Sequence, residues 1–169
     1  MYKNILISKR TEFLEKWQLQ AIETYPQETI KYLLNEKDEF ANPVGAAIVK
    51  CFGALYNELI GEMNPDKIYS ALDDFIKIRS VQDCSPLNSL NFIFLLKQII
   101  FDEFKKENSG IKLIDGFIEV NKRVDKIALI AFDLYMKNRE KIYKLKSDEF
   151  KRRSFRILST LQTAGTTCD

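Results

Sequence analysis

Histidine is absent from this sequence of 169 residues. That absence removes the commonest general base near neutral pH, every histidine-containing nucleophilic triad, and the usual zinc and haem ligand. Carboxylates, lysines and cysteines remain, so enzymes as a class are not excluded, but a histidine-ligated haem globin is untenable for the chain acting alone. Glycine (6) and proline (4) are scarce, which leaves room for long uninterrupted elements. Cys51, Cys84 and Cys168 are odd in number, widely spaced and without a metal-binding interval, so reduced thiols are the simplest reading. Charge of one sign is lacking too: 26 basic against 24 acidic residues leave a net +2. No global field is available to hold nucleic-acid phosphates, and no nucleic-acid partner is expected. The densest basic run, Lys151–Arg152–Arg153, reads as a solvated helix end.

Long apolar runs are also missing. Leu87 to Ile100 is interrupted by Asn88, Asn91, Lys97 and Gln98 and falls short of the roughly 20 residues that a span needs. Met1 to Arg10 runs into charge without a long apolar region or a cleavage site. No membrane insertion is expected, and a cytoplasmic location follows as the default.

What the chain does have is apolar surface for a core: 46% hydrophobic residues, with 12 Phe and 7 Tyr. Leu, Ile, Lys and Glu fill the intervals between breakers, as in helices with one dry face. Leu6, Phe13, Leu14, Trp17, Ala21 and Ile22 predict a helix over about 4–24, and a short one ends near Asn35. Asn42–Pro43, Asn64–Pro65 and Ser85–Pro86 each pair a capping side chain with a proline at the first helical position. Gly61 suits the position just past a helix end. After Ser85–Pro86 the apolar residues face nearly every direction, which predicts a central helix. From Ile111 to about Arg153 three-or-four spacing persists, predicting a long helix with a coiled-coil-like contact, unless Gly116 marks a break. The fold class is therefore all-α: one helical-bundle domain over 1–153 with a long C-terminal helix, and a flexible tail over 154–169.

Candidate chemistry is sparse. Asp73 and Asp74 lie near Glu58, Glu62 and Asp66, but adjacent carboxylates on a helix point about 100° apart and read as capping or solvated groups. The more informative stretch is the charged, proline-closed break carrying Arg79, Gln82, Asp83, Ser85 and Pro86. Arg79 suits a helix C-terminus, Asp83 or Ser85 can cap the next helix, and an Arg79–Asp83 hydrogen bond would lock the turn. The alternative is a polar regulatory patch that transmits a signal or docks a partner. No activated nucleophile or oxyanion site is identifiable, so no catalytic residue, no metal and no cofactor is assigned. Cys84 is a packed small residue or, if exposed near the helix start, a redox-sensitive thiol. Trp17, Tyr25 and the phenylalanines pack a core or line a ligand cavity.

An ordered set of motifs adds a resemblance. It comprises Glu23-Thr24-Tyr25-Pro26, Phe40-Ala41-Asn42-Pro43-Val44-Gly45, Leu72 to Asp83, Ser85-Pro86, Phe92 to Lys97, Ala131 to Met136 and Arg139 to Tyr143. Over roughly 5–153 the chain resembles the amino-terminal domain of the RsbT co-antagonist protein RsbRD, a relative of bacterial stressosome regulators. The resemblance implies an all-helical sensory or regulatory domain, related to the non-haem globin-like domains of RsbR proteins, which dimerise. It also implies a possible regulatory protein partner. In those proteins a carboxy-terminal STAS domain engages the kinase-like partner; this sequence ends before one, so direct antagonism is not carried over. Asn138 stands where many relatives carry a cysteine, and the family supplies no catalytic residues. The expected function is a non-enzymatic, homodimeric signalling or adaptor domain acting through helix packing, with a small-molecule sensor as the alternative.

Overall fold

Three of the helices begin as their cap-and-proline pairs require. In the computed structural model α4 runs Pro43–Ile60, α5 Pro65–Val81 and α6 Pro86–Lys106. Before them lie α1 (Tyr2–Ser8), α2 (Arg10–Ile22) and α3 (Gln27–Asn35), and after them α7 (Ile111–Gly165). The structure describes residues 2–23, 25–36, 38, 40–82, 85–106 and 111–165, with side chains at all of these except 34, 111–113 and 160–165. Among the described residues there is no strand, and the architecture is an all-α helical bundle with a long C-terminal helix. The chain divides into two units, Met1–Tyr135 and Met136–Asp169.

The caps are satisfied by the residues that the sequence places there. Asn42 is buried and works in two directions: its Oδ1 accepts from Gly45 N at 2.8 Å to open α4, while its Nδ2 donates to Leu33 O (3.1 Å) and Glu36 O (2.9 Å) at the end of α3. A Cβ on Gly45 would lie 2.2 Å from that Nδ2, so the cap requires glycine there. Asn64 Oδ1 accepts from Asp66 N and Lys67 N, and Ser85 Oγ accepts from Asn88 N at 3.2 Å.

Two details differ from expectation, at Lys9 and beyond Arg153, whereas Gly61 follows the end of α4 and Gly116 lies in an unbroken α7 as the main reading has them. The first helical pattern is two helices, parted at Lys9 (φ −102°, ψ 19°). There the side chain reaches across to α6, with its Nζ 2.7 Å from Glu103 Oε1. Gly61 does not adopt a left-handed conformation (φ −93°); the positive φ of 58° falls on Met63, and a Cβ on Gly61 would sit 2.8 Å from Asn57 O. Gly116 lies inside α7 rather than at a break, because the missing side chain admits α1: a Cβ there would meet Tyr2 Cβ at 2.6 Å. Finally, helix continues past Arg153 to Gly165.

Within Met1–Tyr135 the core is aromatic at its centre. Trp17 stacks on Phe52 (4.1 Å between centroids), Phe52 on Phe92 (5.2 Å), and Phe75 meets both Phe52 and Phe92 edge-on. Trp17 Nε1 donates to Phe92 O, which satisfies the one polar atom of the ring. Leu55, Leu59, Ile68, Leu72, Ile76, Val120 and Val124 surround the stack. Tyr56 is buried and its hydroxyl donates to Leu6 O, joining α4 to α1. α6 buries most of its circumference, as its all-round apolar pattern predicts, but Leu87, Phe94 and Phe101 stay exposed.

Candidate functional site

Two joints meet at the polar break. Arg79, in the last turn of α5, is buried at 5% exposure although it is charged. Its Nη2 donates to Asn88 O, in the first turn of α6, at 2.6 Å. Its guanidinium carbon lies 5.0 Å from the centre of the Tyr25 ring, which comes from the short link between α2 and α3. The Tyr25 hydroxyl in turn donates to Gln82 Oε1 at 3.4 Å. Arg79 therefore ties the α5–α6 turn to the α2–α3 link, a longer reach than helix-end compensation alone.

The structure brings together Arg79 and Gln82 through Tyr25, and Arg79 and Ser85 through the first turn of α6 that both engage. Pro86 is the exposed first residue of α6. Asp83 and Cys84 lie outside the described residues, and with them the expected Arg79–Asp83 hydrogen bond and the environment of that thiol. Sequence reasoning missed Tyr25, Asn88 and Ser89 as members of this site. Tyr25 carried only the signal of a residue before proline, and Asn88 contributes through its backbone carbonyl, which no side-chain pattern reveals.

Among the described residues, two buried polar atoms at this joint have no hydrogen-bond partner: Arg79 Nε and the hydroxyl of the fully buried Ser89. Exposed Val81 and Leu87 flank it, at 71% and 74% exposure. The site thus has a buried cation at its base and an apolar rim. Among its described residues there is no activated nucleophile.

The other candidate groups separate. Asp73 pairs with Lys77 at 2.6 Å, and Glu58 accepts from Asn64 N at 2.9 Å, so these carboxylates close helix ends and surface pairs. Among the described residues no group of three metal-ligating side chains comes together. Cys51 is buried, and desolvation, helped by nearby Asp74, pushes its thiol well above the ordinary range, which makes it an inert packing residue. Of the aromatic residues offered as cavity lining, Trp17, Phe52, Phe75 and Phe92 pack on one another, and Tyr25 lies against Arg79. A cleft of about 720 Å³ lies elsewhere, among α3, α4 and α5, and its lining includes Gly45, Ala46, Ala47, Glu36, Lys50 and Asp74. Among the described residues no helix is long and apolar enough to cross a membrane.

Outside the break, Arg123 is a second residue that the sequence did not single out. From α7 its Nη1 donates to Leu59 O (3.0 Å) and Gly61 O (2.7 Å), capping the carbonyl end of α4, while its Nε engages Glu119 at 3.0 Å. Each unit has exposed apolar residues on its part of α7. In the first unit they include Ile114, Ile118, Leu129 and Phe132; in the second, Met136, Tyr143, Phe150 and Ile157 form a row of residues each seven apart. Leu145 and Phe155 are exposed on other faces of the helix.

Comparison with curated proteins and with solved structures finds no match. Residues 11–149 match the model of the RsbT co-antagonist protein rsbRD N-terminal domain, which spans the cap-and-proline helix starts, the Arg79 joint and most of α7. This chain therefore belongs to the rsbRD N-terminal domain family, a family of all-helical signal-transduction domains.

Proposed function

We propose that this chain is a non-enzymatic signalling or adaptor domain that works as a homodimer, with the exposed row of α7 as its seam. A change in helix packing at that seam would carry the signal to a regulatory protein partner. The observation behind this reading is the row itself. Tyr143, Phe150 and Ile157 are 58%, 73% and 62% exposed at seven-residue spacing, a row of large apolar side chains that a lone helix has no reason to keep in water. Ser147 and Ser154 lie beside them on the helix surface, and small residues between large ones suit a close helix pair.

The test is the mass of the protein in solution. Light scattering should give a dimer for the full chain, and Tyr143→Glu with Phe150→Glu should give a monomer with the same Trp17 fluorescence, since neither residue belongs to the core. A monodisperse monomer of the unaltered chain at high concentration would overturn the proposal.

A small-molecule sensor is the second reading, and the observation that favours it is the open cleft beside Lys50 and Asp74. Native mass spectrometry of the purified protein separates the two, because a sensor retains a ligand mass that an adaptor lacks.

A further inference from the structure

The near balance of charge over the whole chain conceals an unequal division. Residues 136–165 carry nine basic side chains against three acidic, whereas residues 1–135 carry 17 against 20. Within the second unit those charges keep register with the apolar row. Met136, Tyr143, Phe150 and Ile157 are exposed and seven apart, and Lys137, Lys144 and Lys151 run alongside at the same interval. Arg139, Lys146 and Arg153 form a matching line on the other side of the row. Arg139 lies over the Tyr143 ring at 4.9 Å and donates to its hydroxyl at 2.8 Å, so this ladder packs along the row. Arg153 pairs with Glu149 on its own helix. Among the described residues Lys144, Lys146 and Lys151 are exposed and form no ion pair.

Charges that flank an apolar seam select its partner. Two identical helices laid along this row set basic ladder against basic ladder, whether they run parallel or antiparallel, and the repulsion weakens that pairing. Resting on the reading of the row as a pairing seam, we infer that it docks an acidic amphipathic helix of a partner protein, which displaces the second copy. That helix carries apolar residues at the same seven-residue interval and carboxylates on both sides. The signal is then an exchange of partners, in which like-charge repulsion across the seam gives way to attraction. An anionic bilayer suits the face less well: Glu140, Ser147 and Ser154 lie between the row and the first ladder, so the apolar strip is too narrow to sink into lipid. Nor does a phosphate backbone call for a row of large apolar side chains.

The probe is a fluorescently labelled peptide of three heptads, with leucine at its seam positions and glutamate at the flanking ones. A peptide with lysine at those flanks is the control. Binding to the full chain is read by anisotropy, and the mass of the complex by light scattering. The glutamate peptide should bind one to one, at least about tenfold more tightly than the lysine peptide, and about tenfold more weakly as sodium chloride rises from ~0.05 M to ~0.5 M. Lys144→Glu combined with Lys146→Glu and Lys151→Glu should reverse the preference, with Trp17 fluorescence unchanged because all three side chains are exposed. A glutamate peptide that does not bind, or a triple variant that keeps the original preference, overturns the inference. So does tighter binding to phosphatidylserine vesicles or duplex DNA than to the peptide. A monomeric chain that binds the peptide upholds the acidic partner and removes the homodimer; a stable dimer that ignores the peptide does the reverse.

Discussion

Replacing Arg123 tests whether a residue of α7 secures the far end of α4. The last carbonyls of a helix lack intrahelical partners, and here Gly61 N turns back to Asn57 O and Glu58 O, while Leu59 O and Gly61 O receive Arg123 Nη1. The side chain is 19% exposed, so its bonds are mostly shielded from competing water. A hydrogen bond from a charged donor contributes roughly 1.5–3 kcal/mol, and a cation at a helix C-terminus roughly 0.3–1 kcal/mol. Partial exposure places the sum near the low end, so Arg123→Met, which keeps the apolar stem, should cost about 2 kcal/mol. Glu119→Gln removes only the surface ion pair and should cost less than about 0.5 kcal/mol. Urea unfolding followed by the fluorescence of Trp17, the single tryptophan and fully buried in the Met1–Tyr135 core, reads both. Hydrogen exchange should also quicken in the last turn of α4. An Arg123→Met protein within about 0.5 kcal/mol of wild type would refute the capping argument. A Glu119→Gln protein equally destabilised would show that the ion pair, not the cap, is what matters.

Acid should weaken the contact between the start of α2 and α6. Hydrogen bonds from Lys9 and then Lys106 hold the Glu103 carboxyl well below its ordinary range, at about 2, against the opposing effect of burial. A depressed carboxyl pKa stabilises the fold above the unfolded value near 4.5, and that contribution is lost as pH falls from there toward 2. With Lys16 and Lys106 themselves in solvent, about 1–2 kcal/mol is expected, and Glu103→Gln should flatten the urea midpoint over that interval; parallel pH profiles would contradict this. Gly116→Ala would gain about 1 kcal/mol in an open helix, but here its methyl meets Tyr2 Cβ, so a net loss of about 1–2 kcal/mol in urea unfolding is expected. A stabilised Gly116→Ala protein would mean that α1 does not lie against α7 so closely.

By itself the sequence determined the helices and most of their starts. Asn42–Pro43, Asn64–Pro65 and Ser85–Pro86 are local devices: the cap bonds to amides two or three residues on, and proline needs only its own φ. The all-round apolar pattern of α6 and the long spacing of α7 were equally legible, because helix periodicity is written within one element. Tertiary structure decided what lies between elements. Lys9 breaks the first helix where its side chain meets Glu103, Gly116 persists inside α7 because Tyr2 packs on it, and Arg123 caps a helix some sixty residues earlier in the chain. None of these leaves a local mark, since each partner is brought in by the packing of other helices. The Arg79 break shows both halves of that division. Its residues announced a turn, while the ring of Tyr25, the carbonyl of Asn88 and the unmet hydroxyl of Ser89 became its neighbours only when four helices closed around a buried charge.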